Sequence, residues 1–187
     1  MKATKFWEAA SAALMIVIAA LVLAPRAGAA TEKVLYSFTG GSDGNQPHQG
    51  LIFDQAGNLY GATFSGGVYG YGTVFKLTPN SDGSWAESVL YSFTGGSDGG
   101  TPDWGRPAFD TAGNLYDVTA GGGNYGYGVV FELTPNADGS WTESVLHQFT
   151  GGGDGATPTT TLIFEPCATA RSSSAHPKHS SIRFLFL

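Results

Sequence analysis

Val34-Leu35-Tyr36-Ser37-Phe38-Thr39-Gly40-Gly41-Ser42-Asp43-Gly44 returns as Val89-Leu90-Tyr91-Ser92-Phe93-Thr94-Gly95-Gly96-Ser97-Asp98-Gly99, and again as Val145-Leu146-His147-Gln148-Phe149-Thr150-Gly151-Gly152-Gly153-Asp154-Gly155. Successive copies start 55 and then 56 residues apart. Between them, Ala56-Gly57-Asn58-Leu59-Tyr60 recurs as Ala112-Gly113-Asn114-Leu115-Tyr116, and Val74-Phe75-Lys76-Leu77-Thr78-Pro79-Asn80 as Val130-Phe131-Glu132-Leu133-Thr134-Pro135-Asn136. Two complete units and the opening of a third are present. A period of this size marks a stacked or radial array in which each unit buries its apolar face on its neighbours.

Inside a unit the apolar period is two, so the units are built from strands. Leu51-Ile52-Phe53 and Leu59 to Thr63 flank Asp54-Gln55-Ala56-Gly57-Asn58, a hairpin turn with Gly and Asn where positive φ is needed. Val74 to Thr78 and Trp85 to Phe93 flank a second turn, Asn80-Ser81-Asp82-Gly83-Ser84. In the last strand Val89, Tyr91 and Phe93 are expected on one side and Ser88, Leu90 and Ser92 on the other. Val34 to Phe38 reads as a last strand without its blade, and Leu162 to Phe164 as a first strand. The fold expected is all-β: antiparallel four-stranded units of about 55 residues in an incomplete β-propeller-like array, since four strands per unit is the blade arithmetic and closure takes about four to eight blades. The second unit reads Gly105-Arg106-Pro107-Ala108-Phe109 where the first has Gly50-Leu51-Ile52-Phe53. The extra residue and Pro107, which cannot donate to a ladder, predict a bulged or edge strand there. Asp117 replaces Gly61, so that position tolerates a side chain.

The block Asp43-Gly44, Pro47, Gly50-Leu51-Ile52-Phe53-Asp54, Gly57-Asn58-Leu59-Tyr60-Gly61, Thr63, Gly66-Gly67, Gly70, Gly72-Thr73-Val74-Phe75-Lys76-Leu77 resembles the GloVer tandem repeat of exported bacterial proteins. The likeness runs over roughly residues 34–164. It implies an exported, surface-associated repeat protein with propeller-like units, and it brings no catalytic residues with it.

Residues 1–30 carry Lys2 and Lys5, the uncharged apolar run Ala12 to Leu23 and the small residues Ala27-Gly28-Ala29-Ala30, the three-part plan of a secretory signal. Cleavage is expected near Ala30 or Thr31, leaving no membrane span, and the address is secreted or cell envelope. The competing reading is a membrane anchor over Ala9 to Pro25. The β repeat domain is placed at 31–165. Residues 166–187, Ser-, Ala- and His-rich and without glycine, read as a disordered tail or the product of a frameshift. Cys167 is one cysteine and cannot form an internal disulfide. The formal charge of −6, made more negative by removal of residues 1–30, excludes a nucleic-acid binder, which needs a basic face.

The glycine-rich runs at 66–72 and 121–128 are followed by strands, and a phosphate cradle requires a helix start there. Their aromatics point to other chemistry: Tyr69, Tyr71, Tyr125, Tyr127 and Trp104 suit stacking on a sugar ring or a peptide, the alternative being packing between units. Trp85 and Trp141 open strands and read as packing residues. Asp43, Asp98 and Asp154 recur in glycine-rich loops as candidate oxygen ligands for Ca2+, against the plainer reading of Asp-Gly turns. Asp54 and Asp110 read as turn residues. The histidines assemble no site: His48 and His147 are not equivalent, and His176 with His179 falls in the tail. No Ser-His-Asp signature is present. The function expected is an exported binding or structural module for a glycan or protein ligand, with self-association through open sheet edges. The alternatives are a fragment of a propeller-type carbohydrate-active lyase or hydrolase and a non-functional truncated gene product.

Overall fold

Each unit folds as one antiparallel four-stranded sheet. The computed structural model describes residues 32–162. The first sheet is β1 (Ile52–Phe53), β2 (Leu59–Thr63), β3 (Thr73–Pro79) and β4 (Trp85–Ser92); the second is β5 (Ala108–Phe109), β6 (Leu115–Thr119), β7 (Val129–Pro135) and β8 (Trp141–Gln148). Strands pair in sequence order in both sheets. The described residues contain no helix and close into no barrel or propeller. Residues from Leu35 onward gather into one compact unit; of the other, Met1–Val34, only Glu32 to Val34 are described, exposed and without regular structure. The expected signal segment and the tail, with Cys167, His176 and His179, lie outside the described residues.

The turns are built by their aspartates. Asp54 Oδ1 accepts the amides of Ala56 and Asn58, and Oδ2 accepts the Asn58 side-chain amide and the Tyr60 hydroxyl. Asp110 repeats all four bonds on Ala112, Asn114 and Tyr116. An aspartate that satisfies four donors within a few residues fixes the hairpin without tertiary help.

The core is a set of equivalent junctions. Tyr60, Ala62, Val74 and Phe93 of the first unit meet Leu115, Val129, Phe131 and Leu133 of the second. Phe93 stands edge-on to Phe131 with ring centroids 5.1 Å apart. On the other face of the first sheet, Leu59, Phe75 and Leu77 pack with Leu35, Tyr36 and Phe38, and Phe38 meets Phe75 at 4.8 Å in the same edge-on way. On the far face of the second sheet Tyr116, Val118, Val130 and Phe149 cluster with Leu162. Every unit thus offers a Leu-Phe-Leu face to the unit before it and a Tyr-Ala/Val-Val face to the unit after it, as a stacking repeat requires.

Two local expectations change. Val34 to Phe38 forms no ladder, although its side chains pack as expected of a last strand. The copy at 89–93 pairs with β3 of its own sheet through Val74↔Tyr91, and the N-terminal copy has no such strand beside it. The simple alternation of β4 fails at Leu90, because the register passes from Val74↔Tyr91 to Phe75↔Val89 and Leu90 becomes the extra residue of a bulge. Leu90 therefore turns into the junction and Val89 out to solvent. The same bulge recurs at Leu146 in β8. The expectation for β5, bulged or edge, is met at the edge: β5 closes one side of its sheet, and Ala108↔Tyr116 matches Ile52↔Tyr60 in register. The second unit's extra residue is absorbed before the strand, between Pro102 and Ala108.

Candidate functional site

In each sheet the β2–β3 or β6–β7 loop and the connection leading into the next unit leave from the same end, because alternate strands are antiparallel. This end carries every aromatic singled out for binding. Their roles divide. Tyr71 lies on the following unit's loop: a β-carbon at Gly95, where φ is +75°, would fall 2.6 Å from its ring, and the Tyr71 carbonyl accepts the Thr101 amide at 2.8 Å. Tyr127 sits in the same way on Gly151 and accepts the Thr157 amide. These two rings join successive units while keeping part of their surface in water. Tyr69 and Tyr125, each 59% exposed, reach further out.

Trp104 is the most exposed of the set, at 70%, and its backbone has φ +57°. Gly105 N–H donates to the Asp103 carbonyl at 2.8 Å, closing a tight γ-turn around it. A bulky residue in this region of φ is a costly exception. The other non-glycine residues with positive φ, Gln46, Thr101 and Thr157, occupy one equivalent position in three units and belong to the repeat. The positive φ of Trp104 has no counterpart in the first unit. Its indole lies 6.0 Å from the His48 ring, which in turn lies 5.6 Å from Phe64, with planes inclined by 33° and 30°. His48 Nδ1 is 3.3 Å from Asp103 Oδ1, so a carboxylate on the neighbouring unit orients the imidazole. Phe64, His48 and Trp104 make an open aromatic step across the junction.

A model of the Gloeobacter/Verrucomicrobia repeat matches residues 22–167, well over half of the sequence. The chain belongs to this family. No curated protein matches it.

In this Gloeobacter/Verrucomicrobia repeat protein the three recurrent loop aspartates stay one per unit. The carboxylates of Asp43, Asp98 and Asp154 accept the backbone amide and hydroxyl of Thr39, Thr94 and Thr150 respectively. Tyr36 and Tyr91 add their hydroxyls to the first two, and His147 Nε2 stands 3.3 Å from the third. These bonds hold Asp43 and Asp154 below the usual carboxylate range, with the Thr39 amide leading for Asp43 and the Thr150 hydroxyl for Asp154. The structure brings none of the three together, and no group of three His, Cys, Asp or Glu side chains gathers elsewhere among the described residues.

At the opposite end a groove of about 600 Å³ opens between the two sheets, lined by Phe53, Tyr60, Phe109 and Trp141 and flanked by Asp54 and Asp110. The sequence signals turns at Asp54 and Asp110 and packing at Trp141, and both are present. What it conceals is that Tyr60 and Phe109, from different units, meet edge-on at 4.9 Å to floor a cleft. Periodicity within one unit carries no information about such a pairing.

A second feature hidden in the sequence is Asp117. A β-carbon at Gly61 would strike Leu51 at 2.6 Å and Phe75 at 2.9 Å, so the first unit cannot accept a side chain there. The second unit can because Pro107 stands where Leu51 does, and the Asp117 side chain turns toward Gly105 instead. Tolerance at this position belongs to one unit only. Asp117 is fully buried, and burial raises its carboxyl to about 7, offset in part by the bond from the Val118 amide. Glu143 is also pushed up to about 7, by burial and then by the nearby Asp98 carboxylate.

Proposed function

We propose that this repeat protein is exported to the cell envelope and binds an extracellular glycan through the loop end of its sheets, with Trp104 as the anchor and Tyr69 and Tyr125 as flanking rings. The observation that carries this reading is Trp104 itself. A tryptophan that is 70% exposed and on left-handed backbone contributes almost nothing to the core, yet its ring lies 6.0 Å from that of His48, inclined by 33°. Strain kept at a solvent-facing aromatic is the mark of a binding surface. Tyr71 and Tyr127 hold the junctions on either side of the second unit, accepting the Thr101 and Thr157 amides.

Retention on immobilised polysaccharides tests the proposal. Trp104→Ala is expected to weaken retention at least tenfold, the scale of an aromatic hot spot. Trp104→Gly is expected to do the same while raising stability by about 1 kcal/mol, since glycine relieves the left-handed strain. Retention unchanged in both variants across a broad panel would overturn the glycan reading. Cleavage of a retained polysaccharide would favour the enzyme alternative. Export is checked separately, by N-terminal sequencing of envelope and medium fractions, where a start near Thr31 is expected.

A further inference from the structure

Three successive repeats each send a polar group to one buried place. A β-carbon at Gly105 would lie 3.1 Å from Asp117 Oδ1, 3.3 Å from the Thr160 carbonyl oxygen and 3.7 Å from Gln49 Nε2. Gln49 belongs to the first unit, Gly105 and Asp117 to the second, and Thr160 to the third. Gln49 is 7% exposed and Asp117 is wholly buried. The Gln49 amide is near enough to favour the charged form of Asp117, but both of its polar atoms and Asp117 Oδ2 lack a partner in hydrogen-bonding geometry. Buried polar atoms are otherwise almost always paired, and a buried carboxylate needs a compensating charge. Among the described residues the histidine–carboxylate contacts His48–Asp103 and His147–Asp154 leave Asp117 out, and Arg106, the nearest cationic residue in sequence, is exposed.

We propose that this buried polar cluster binds one monovalent metal cation, sodium or potassium, ligated by the Asp117 carboxylate, the Gln49 side-chain oxygen and the Thr160 carbonyl oxygen. The oxygen and nitrogen of a glutamine amide exchange places by a simple flip of the group, so Gln49 can present its oxygen. An all-oxygen set selects a hard cation. The charge selects a monovalent one: a single carboxylate neutralises one positive charge, whereas a divalent ion would leave a buried excess with no second anion beside Asp117, Gln49 and Thr160. The ion would tie three units together at the one place where the second unit carries Asp117 and the first carries Gly61.

The test is thermal unfolding of the full chain at pH 8 and constant ionic strength, with choline chloride replaced stepwise by sodium or potassium chloride. The melting temperature is expected to rise by roughly 5 °C with at least one of the two metals, as for any ligand bound only by the folded state. Asp117→Asn, which keeps the volume and removes the charge, is expected to abolish the response, and Gln49→Leu to weaken it. Crystals of the unaltered protein soaked in rubidium chloride should show an anomalous peak between Gln49 and Asp117, a readout that does not depend on the variants folding. Equal melting in choline, sodium and potassium, an undiminished response in Asp117→Asn, or a response to calcium alone would overturn the assignment.

Discussion

Replacing Phe131 by Ala is expected to cost about 3–5 kcal/mol, the range for deleting a buried aromatic from a packed core, and so to remove much of the protein's total stability. Phe131 is fully buried and meets Phe93 across the junction. Its neighbours are Leu115 and Leu133 on its own sheet and Tyr60, Ala62 and Val74 on the other. Strands on both sides fix all of these, so the site cannot collapse to fill the space. Phe75→Ala removes the equivalent ring from the N-terminal junction, where the partners Leu35, Tyr36 and Phe38 come from a segment outside any ladder. That segment can relax, and the loss should be smaller. Denaturant unfolding of the two variants beside the parent reads the difference directly. Equal losses would mean that the N-terminal segment is as firmly held as a strand.

The contrast between these phenylalanines also marks how far the sequence is legible. The repeat, the four strands of each unit and the two aspartate turns arise from local chemistry, and the structure shows them at nearly the residues expected. The departures arise where a partner strand or a neighbouring unit decides. Val34 to Phe38 carries the strand's residues but lacks the β3 that pairs with its copy, so one sequence has a ladder in one place and none in the other. Leu90 alternates correctly on paper, and the bulge then turns it inward. The candidate surface is half legible. Exposed aromatics beside glycines stand out in the sequence, but which of them join units depends on the Tyr71–Gly95 and Tyr127–Gly151 contacts across the junction. Asp117 is visible only as a departure from Gly61. Its burial depends on Leu51 having become Pro107 ten residues earlier, a pairing that no single-unit pattern contains.

The second large effect expected is a loss of stability as pH rises from about 4 to 7 in a buffer free of metal cations. Asp117 and Glu143 both have folded-state values raised to about 7 from ordinary values of 3.8 and 4.5. A carboxyl raised on folding stabilises the native state fully at pH below its unfolded value, where both states are protonated, and the advantage disappears as pH climbs through the folded value. For the fully buried Asp117 the shift corresponds to about 4 kcal/mol between its fully protonated and fully ionised limits, with a smaller share from the more accessible Glu143. Around Asp117 stand the Gln49 amide, the Thr160 carbonyl and the Val118 amide, none of which titrates; Asp98, bonded by the Tyr91 hydroxyl, faces Glu143. The turn aspartates work in the opposite direction. Asp54 and Asp110 are lowered on balance by bonds from Asn58 and Asn114, although burial is the largest single influence and pulls the other way, so their contribution is lost as pH falls below about 4. Maximum stability should therefore fall near pH 4. Asp117→Asn with Glu143→Gln is expected to flatten the alkaline limb and leave the acid limb intact. An alkaline limb that survives the double substitution would place the titrating groups elsewhere. A limb that vanishes on adding sodium or potassium would mean that metal and proton compete for the same buried carboxylate.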